Sequence, residues 1–109
     1  LYPVNPGQTN RVWNTGNYTL ALGDRDAIMR YSGTSSAQLI VPSGVNFPIG
    51  TTVNVVQTGG TKLVQVLPSD GTISVYSSNG NYLRAQYSMA TLVKIDATTW
   101  ILTGDTVVS

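Results

Sequence analysis

The chain has 109 residues and a formal net charge of +1, and charged side chains make up only 10% of it. That length supports one domain with its own core, and so weak a charge lacks the basic stripe with which proteins meet nucleic acid. Cysteine, histidine and glutamate are all missing, which excludes a disulfide framework, a zinc–thiolate site and any Ser-His-Asp or Cys-His nucleophile system.

A typical domain carries about a quarter charged residues. This surface must therefore be built from Ser, Thr, Asn, Gln and Gly, a composition that goes with tightly packed β-rich proteins working outside cells or inside larger assemblies. No apolar run is long enough to span a bilayer, and no basic-then-apolar leader is present, so membrane insertion is not expected. The chain opens on Leu1 rather than Met, as expected of a protein that was processed, trimmed or cut from a longer one.

Residues 1–9 contain Pro3, Pro6 and Gly7 without periodicity and read as an extended arm or linker ahead of a single domain at 10–109. Short alternating segments follow at 10–13, 18–22, 27–31 and 37–41, separated by turns rich in Gly, Asn, Asp and Ser. Pro42 ends the last of these, because proline cannot continue a hydrogen-bonded ladder. Two β-branched runs then stand at 51–57 and 62–67. The turn at Gly59-Gly60 between them predicts a hairpin, since glycine supplies positive φ. In the first run Val53 and Val55 alternate with Thr52 and Asn54, the period of a strand with one wet face. In the second, Leu63 and Leu67 face one way and Val64 and Val66 the other, so it is either central to a packed sheet or covered by a partner.

Further strands are predicted at 72–76 and around 82–84, divided by the turn Ser77-Ser78-Asn79-Gly80-Asn81. A final hairpin at 89–95 and 98–103 carries Trp100 and Leu102 on one face. Strands recurring every 8–12 residues between Gly and Pro turns predict an all-β fold, an antiparallel β-sandwich or jelly-roll-like barrel. Parallel pairing is not expected, because no segment looks like the helical crossover that commonly joins parallel strands.

Little in the chain points to catalysis. The five carboxylates, Asp24, Asp26, Asp70, Asp96 and Asp105, all sit in or beside predicted turns, where aspartate bonds its own backbone. Asp24 and Asp26 fall short of the six to eight oxygens that calcium requires, and Arg25 between them is expected to form only exposed ion pairs. The lysine after Gly59-Gly60 lacks the spacing and following helix of a phosphate loop. Asn17-Tyr18-Thr19 fits a glycosylation sequon, a motif common by chance. No metal, cofactor or enzymatic activity is therefore expected.

The aromatic residues carry more information. Trp100 is expected in the core and Trp13 at an interface, with Val64 and Val66 as further oligomer-interface residues. Tyr76, Asn81, Tyr82, Arg84 and Tyr87 cluster in sequence around a Ser/Asn-rich loop. Aromatic faces, an amide and a guanidinium suit sugar hydroxyls and apolar sugar faces. The alternative is that these tyrosines pack on a neighbouring subunit or close the edge of the sandwich.

Several segments together resemble a β-rich module of bacteriophage virion proteins, chiefly tail fibres and related appendages. They are Tyr18-Thr-Leu, Ala37-Gln-Leu-Ile-Val-Pro42, Phe47-Pro-Ile-Gly-Thr-Thr-Val-Asn-Val-Val-Gln57 with its glycine turn, and Ala90-Thr-Leu-Val-Lys-Ile-Asp-Ala-Thr-Thr-Trp-Ile-Leu-Thr-Gly-Asp105. The likeness runs from about Tyr18 onward and leaves the arm unmatched. It implies a non-enzymatic structural protein of the virion, assembled as a homotrimer beside other virion proteins and contacting a glycan on the host surface. The rival expectations are a carbohydrate-binding module and a capsid decoration protein docked through its N-terminal arm.

Overall fold

The computed structural model describes residues 9–109, so the expected arm lies outside the described residues except for Thr9. The carbonyl of Thr9 already accepts the amide of Ile28. Eleven strands follow: β1 (Asn10–Trp13), β2 (Tyr18–Thr19), β3 (Ile28–Tyr31), β4 (Ala37–Val41), β5 (Thr52–Gln57), β6 (Val64–Pro68), β7 (Ser74–Tyr76), β8 (Tyr82–Leu83), β9 (Met89–Lys94), β10 (Thr99–Gly104) and β11 (Thr106–Val107). The one helical element among the described residues is a 3-10 turn at Leu22–Asp24. The all-β expectation holds.

The strands form two mixed sheets that share a core. The six-stranded sheet runs β1-β3-β5-β9-β10-β7 and the five-stranded sheet β11-β8-β6-β4-β2. Up to β8 the chain changes sheet at every step. Consecutive strands of one sheet are therefore separated by a strand of the other, and β1, β3 and β5 pair in parallel, as do β2, β4 and β6. The antiparallel expectation is correct only for part of the later chain, where β9 pairs with both β5 and β10, and β8 with both β6 and β11, while β7 joins β10 in parallel. A parallel pair needs a long crossover, and here a strand in the facing sheet supplies the length that a helix supplies elsewhere.

The predicted hairpin at 51–57 and 62–67 is overturned by the same geometry. β5 lies in one sheet and β6 in the other, so the Gly59-Gly60 turn is an arch across the core rather than a link between paired neighbours. Gln57 shows why. Its side chain is fully buried at the end of β5, where its Nε2 donates to the Gly60 carbonyl at 3.1 Å and its Oε1 accepts the amides of Leu63 and Val64, both at 3.1 Å. This amide satisfies the Gly60 carbonyl and the Leu63 and Val64 amides, while the Thr58 amide donates to the Tyr31 carbonyl and the Leu63 carbonyl accepts the Ala37 amide.

The two preceding arches repeat the device. Trp13, the last residue of β1, donates Nε1–H to the Gly16 carbonyl at 3.1 Å, and Tyr31, the last of β3, donates its hydroxyl to the Ser35 carbonyl. Trp13 pairs with Tyr31 and Tyr31 with Gln57 in the parallel register, so the three side chains form one row. The indole and phenol rings stand 5.0 Å apart. Gly33 is required beside them, because a Cβ there would collide with the Asn14 carbonyl and the Tyr31 hydroxyl.

Inward-facing residues of both sheets complete one apolar core, including Met29, Leu39, Val41, Val53, Val55, Val64, Val66, Leu83, Leu92, Trp100 and Leu102. Trp100 meets Phe47 edge to face, with ring centroids 5.4 Å apart. Lys94 also points inward, opposite Trp100, and its ammonium donates to the Phe47 carbonyl at 2.7 Å, tying the 45–50 loop over the end of the core. Trp13, Val64 and Val66, expected at a subunit interface, are instead buried within the single chain. Their apolar surface is covered by the facing sheet, and of the apolar residues in that ribbon only Leu63 and Leu67 remain partly exposed.

Replacing Gln57 with Leu should lower unfolding free energy by about 2–4 kcal/mol, because two amides and a carbonyl lose their buried partner. Gln38→Ala, on the outer face of β4, should stay within about 0.5 kcal/mol. Urea titrations of both variants check this. Equal stability of Gln57→Leu and the parent would contradict the arch, since a hairpin leaves that side chain dispensable.

Candidate functional site

The polar side chains divide into those tied into turns and those left on the two outer faces. Asp24 is buried and forms an ion pair with Arg11. It also accepts the Tyr18 hydroxyl at 2.9 Å and the Ala21 amide at 2.8 Å. Burial, followed by the bond to Asp24 and its charge, pushes the Tyr18 phenol above its ordinary pKa. The cluster links β1 of one sheet to β2 of the other. Arg11, eleven residues into the chain, partners Asp24, rather than the adjacent Arg25.

The remaining aspartates are held in the same way. Asp26 accepts the Thr52 hydroxyl at 3.3 Å. Asp70 accepts the hydroxyls of Ser43 and Thr72, each at 2.6 Å, and Asp96 accepts the Thr98 amide at 3.0 Å. Asp105 takes two bonds from Arg84, at 2.6 and 2.8 Å, and one from the Ser88 hydroxyl at 2.7 Å. Among the described residues no three acidic side chains converge in a way that could hold a metal ion.

These contacts separate the residues that cluster in sequence around the Ser/Asn loop. Arg84 is committed to Asp105, clipping β8 to the β10–β11 connection. Asn81 donates Nδ2–H to the Val66 carbonyl at 3.1 Å and works as a structural brace. Tyr76, on the edge strand β7, shares a shallow depression with Asn81 and Gly80. Tyr87 stands in a left-handed turn, its φ at 67°, and the residue is 72% exposed. Tyr82 lies on the outer face of the other sheet, beside Gln65. The five residues do not share one cavity.

The outer face of the six-stranded sheet carries a feature that the sequence reading missed. One cross-strand row holds Thr52, Val93, Ile101 and Tyr76, and another holds Val12, Arg30, Val56 and Met89. Between them runs a polar row of Asn10, Asn54, Thr91 and Thr103, interrupted by Ile28. Val12 is 52%, Tyr76 60% and Met89 44% exposed. Arg30 is the only charged residue in these rows. The available signal was Val56 and Val93, apolar residues at positions that alternation assigns to the wet face; joining them into rows needs the register.

Comparison with protein-family models, with curated proteins and with solved structures found no match to this chain.

The carboxylate contacts set the response to acid. Asp70, Asp96 and Asp105 are held below the ordinary carboxylate value of 3.8, chiefly by the Ser43 hydroxyl, the Thr98 amide and Arg84 respectively. As pH falls the unfolded chain binds these protons first. Their contribution is therefore complete above the ordinary value and is lost as pH drops through the lowered folded values. With no histidine or cysteine, no side chain of ordinary pKa titrates in the neutral range. Urea midpoints should stay flat from about pH 8 to pH 5 and fall below about pH 4, more gently in Asp105→Asn. A transition near neutrality would contradict this account.

Proposed function

We propose that this chain is a non-enzymatic structural module that self-associates through the outer face of its six-stranded sheet, as a homotrimer in a bacteriophage virion appendage such as a tail fibre. The observation that carries the reading is the pair of apolar rows built on Val93, Ile101 and Tyr76 and on Val12, Val56 and Met89. Side chains of this kind gain about 1.5–3 kcal/mol each when fully withdrawn from water. Exposed apolar surface shared by neighbouring strands, here Val93, Ile101 and Tyr76 in one row and Val56 and Met89 in the other, with Arg30 set between Val56 and Val12, is characteristic of contact sites. The nearly uncharged rows add little desolvation cost to contact between copies.

Three further features support it. The polar groups of the described aspartates are tied into turns, which favours a rigid building block over a reactive centre. The stacked arches give each sheet a parallel, in-register ladder on one side. The segments quoted above resemble fibre modules, from which the trimer and the setting among other virion proteins are taken. In that role the module displays its remaining surface to the outside of the particle.

Sedimentation velocity at micromolar concentration tests the proposal, with a species of three times the 11.6 kDa chain mass expected. Val93→Lys should dissociate it while leaving the far-ultraviolet circular dichroism unchanged, because Val93 faces outward. A monomer across the whole concentration range would overturn it.

A further inference from the structure

The outer face of the five-stranded sheet differs in kind from the apolar face opposite. Register places Gln38 of β4 beside Gln65 of β6, and Gln65 beside Tyr82 of β8. Asn17 extends the line on the far side, accepting the Gln38 backbone amide on its Oδ1 at 3.0 Å. These residues and Ser36, Ala37 and Leu63 line a groove of about 280 Å³. No charged side chain lines it.

The polar groups of this groove are uncommitted. Among the described residues, the side-chain amides of Gln38 and Gln65 and the hydroxyls of Ser36 and Tyr82 form no hydrogen bond, whereas all five aspartates, Gln57 and Asn81 are engaged. Each glutamine amide offers two N–H donors and a carbonyl acceptor. Neighbouring strands stand about 4.8 Å apart, so the two amides present donors and acceptors at intervals close to the length of one sugar ring. Tyr82 and Leu63, both half-buried, supply apolar flanks on which the C–H face of a ring can rest.

We infer that this groove is a binding site for a neutral saccharide of one or two rings. Its chemistry matches a ligand rich in hydroxyls and free of charge. A carboxylated or phosphorylated ligand would find no cation among the lining residues, and an apolar one would leave the amides unpaired. The volume lies just below the usual range of small-molecule pockets, about 300–1,000 Å³, which limits the ligand to a short unit. The groove is built on strands rather than loops, and its residues come from four separate strands or their flanks. It lies on the sheet opposite the proposed self-association face, so the two assignments stand independently.

The test is a nuclear magnetic resonance titration of the full chain with lactose, maltotriose and chitotriose, with 3′-sialyllactose as the charged comparison. Saturable shifts of the Gln38 and Gln65 side-chain NH2 signals are expected with at least one neutral probe. Gln65→Ala and Tyr82→Ala should each weaken that binding about tenfold, while Tyr76→Ala and Tyr87→Ala leave it unchanged. Gln65→Ala guards against a folding effect of the larger substitution. Repeating the titration on Val93→Lys separates this site from self-association, since binding should survive there. No shift of those amide signals with any neutral probe, or binding of undiminished affinity in Gln65→Ala, would overturn the inference.

Discussion

The row of Trp13, Tyr31 and Gln57 is the constraint on which the architecture depends. Each is the final residue of a parallel strand, each turns inward, and each donates to a carbonyl three or four residues further on. A buried backbone carbonyl without a partner is costly, and among the described residues no backbone amide reaches the Gly16, Ser35 or Gly60 carbonyl where the chain leaves one sheet for the other. The side chain ending the strand supplies it instead. Three such arches in register convert a chain with no helix-length connections into two parallel ladders.

Sparse charge shapes everything outside that row. Asp24 is the one carboxylate in the interior, and it joins β1 to β2 through Arg11 and Tyr18. The exposed aspartates act as braces for turns, and the Arg84–Asp105–Ser88 group fastens the C-terminal strands. Lys94 is the exception in sign: an ammonium within the core boundary, with the Phe47 carbonyl as its acceptor. Apart from Arg30 on the six-stranded sheet, the outer-face rows are left to neutral chemistry.

Those faces are unlike each other. The six-stranded sheet shows Val, Ile, Met and Tyr in rows, and the five-stranded sheet shows Gln, Asn and Tyr around a groove. On the proposed reading the first face meets other copies of the chain and the second faces outward toward a neutral saccharide. The division follows from one property of strands: alternate residues emerge on opposite sides, so one sequence dresses a core face and an outer face independently.

Alternation, turn residues and composition made much of the fold legible. The β class, most strand positions, the β9–β10 hairpin with Trp100 and Leu102 inward, and the turn-bound aspartates follow from local rules that need no partner. Pairing was not legible, because a β-strand pattern states which face is wet and not which strand lies alongside. Gly59-Gly60 therefore carries the signature of a hairpin turn although it forms an arch, and Val64 and Val66 that of an uncovered face although both are buried. The sequence by itself determined which residues seek burial. The tertiary structure alone decided that β5 and β6 face each other across a core, that Gln57 closes the arch between them, and that Gln38, Gln65 and Tyr82 stand in one line. Those outcomes depend on contacts between residues far apart in the chain, and no local pattern encodes them.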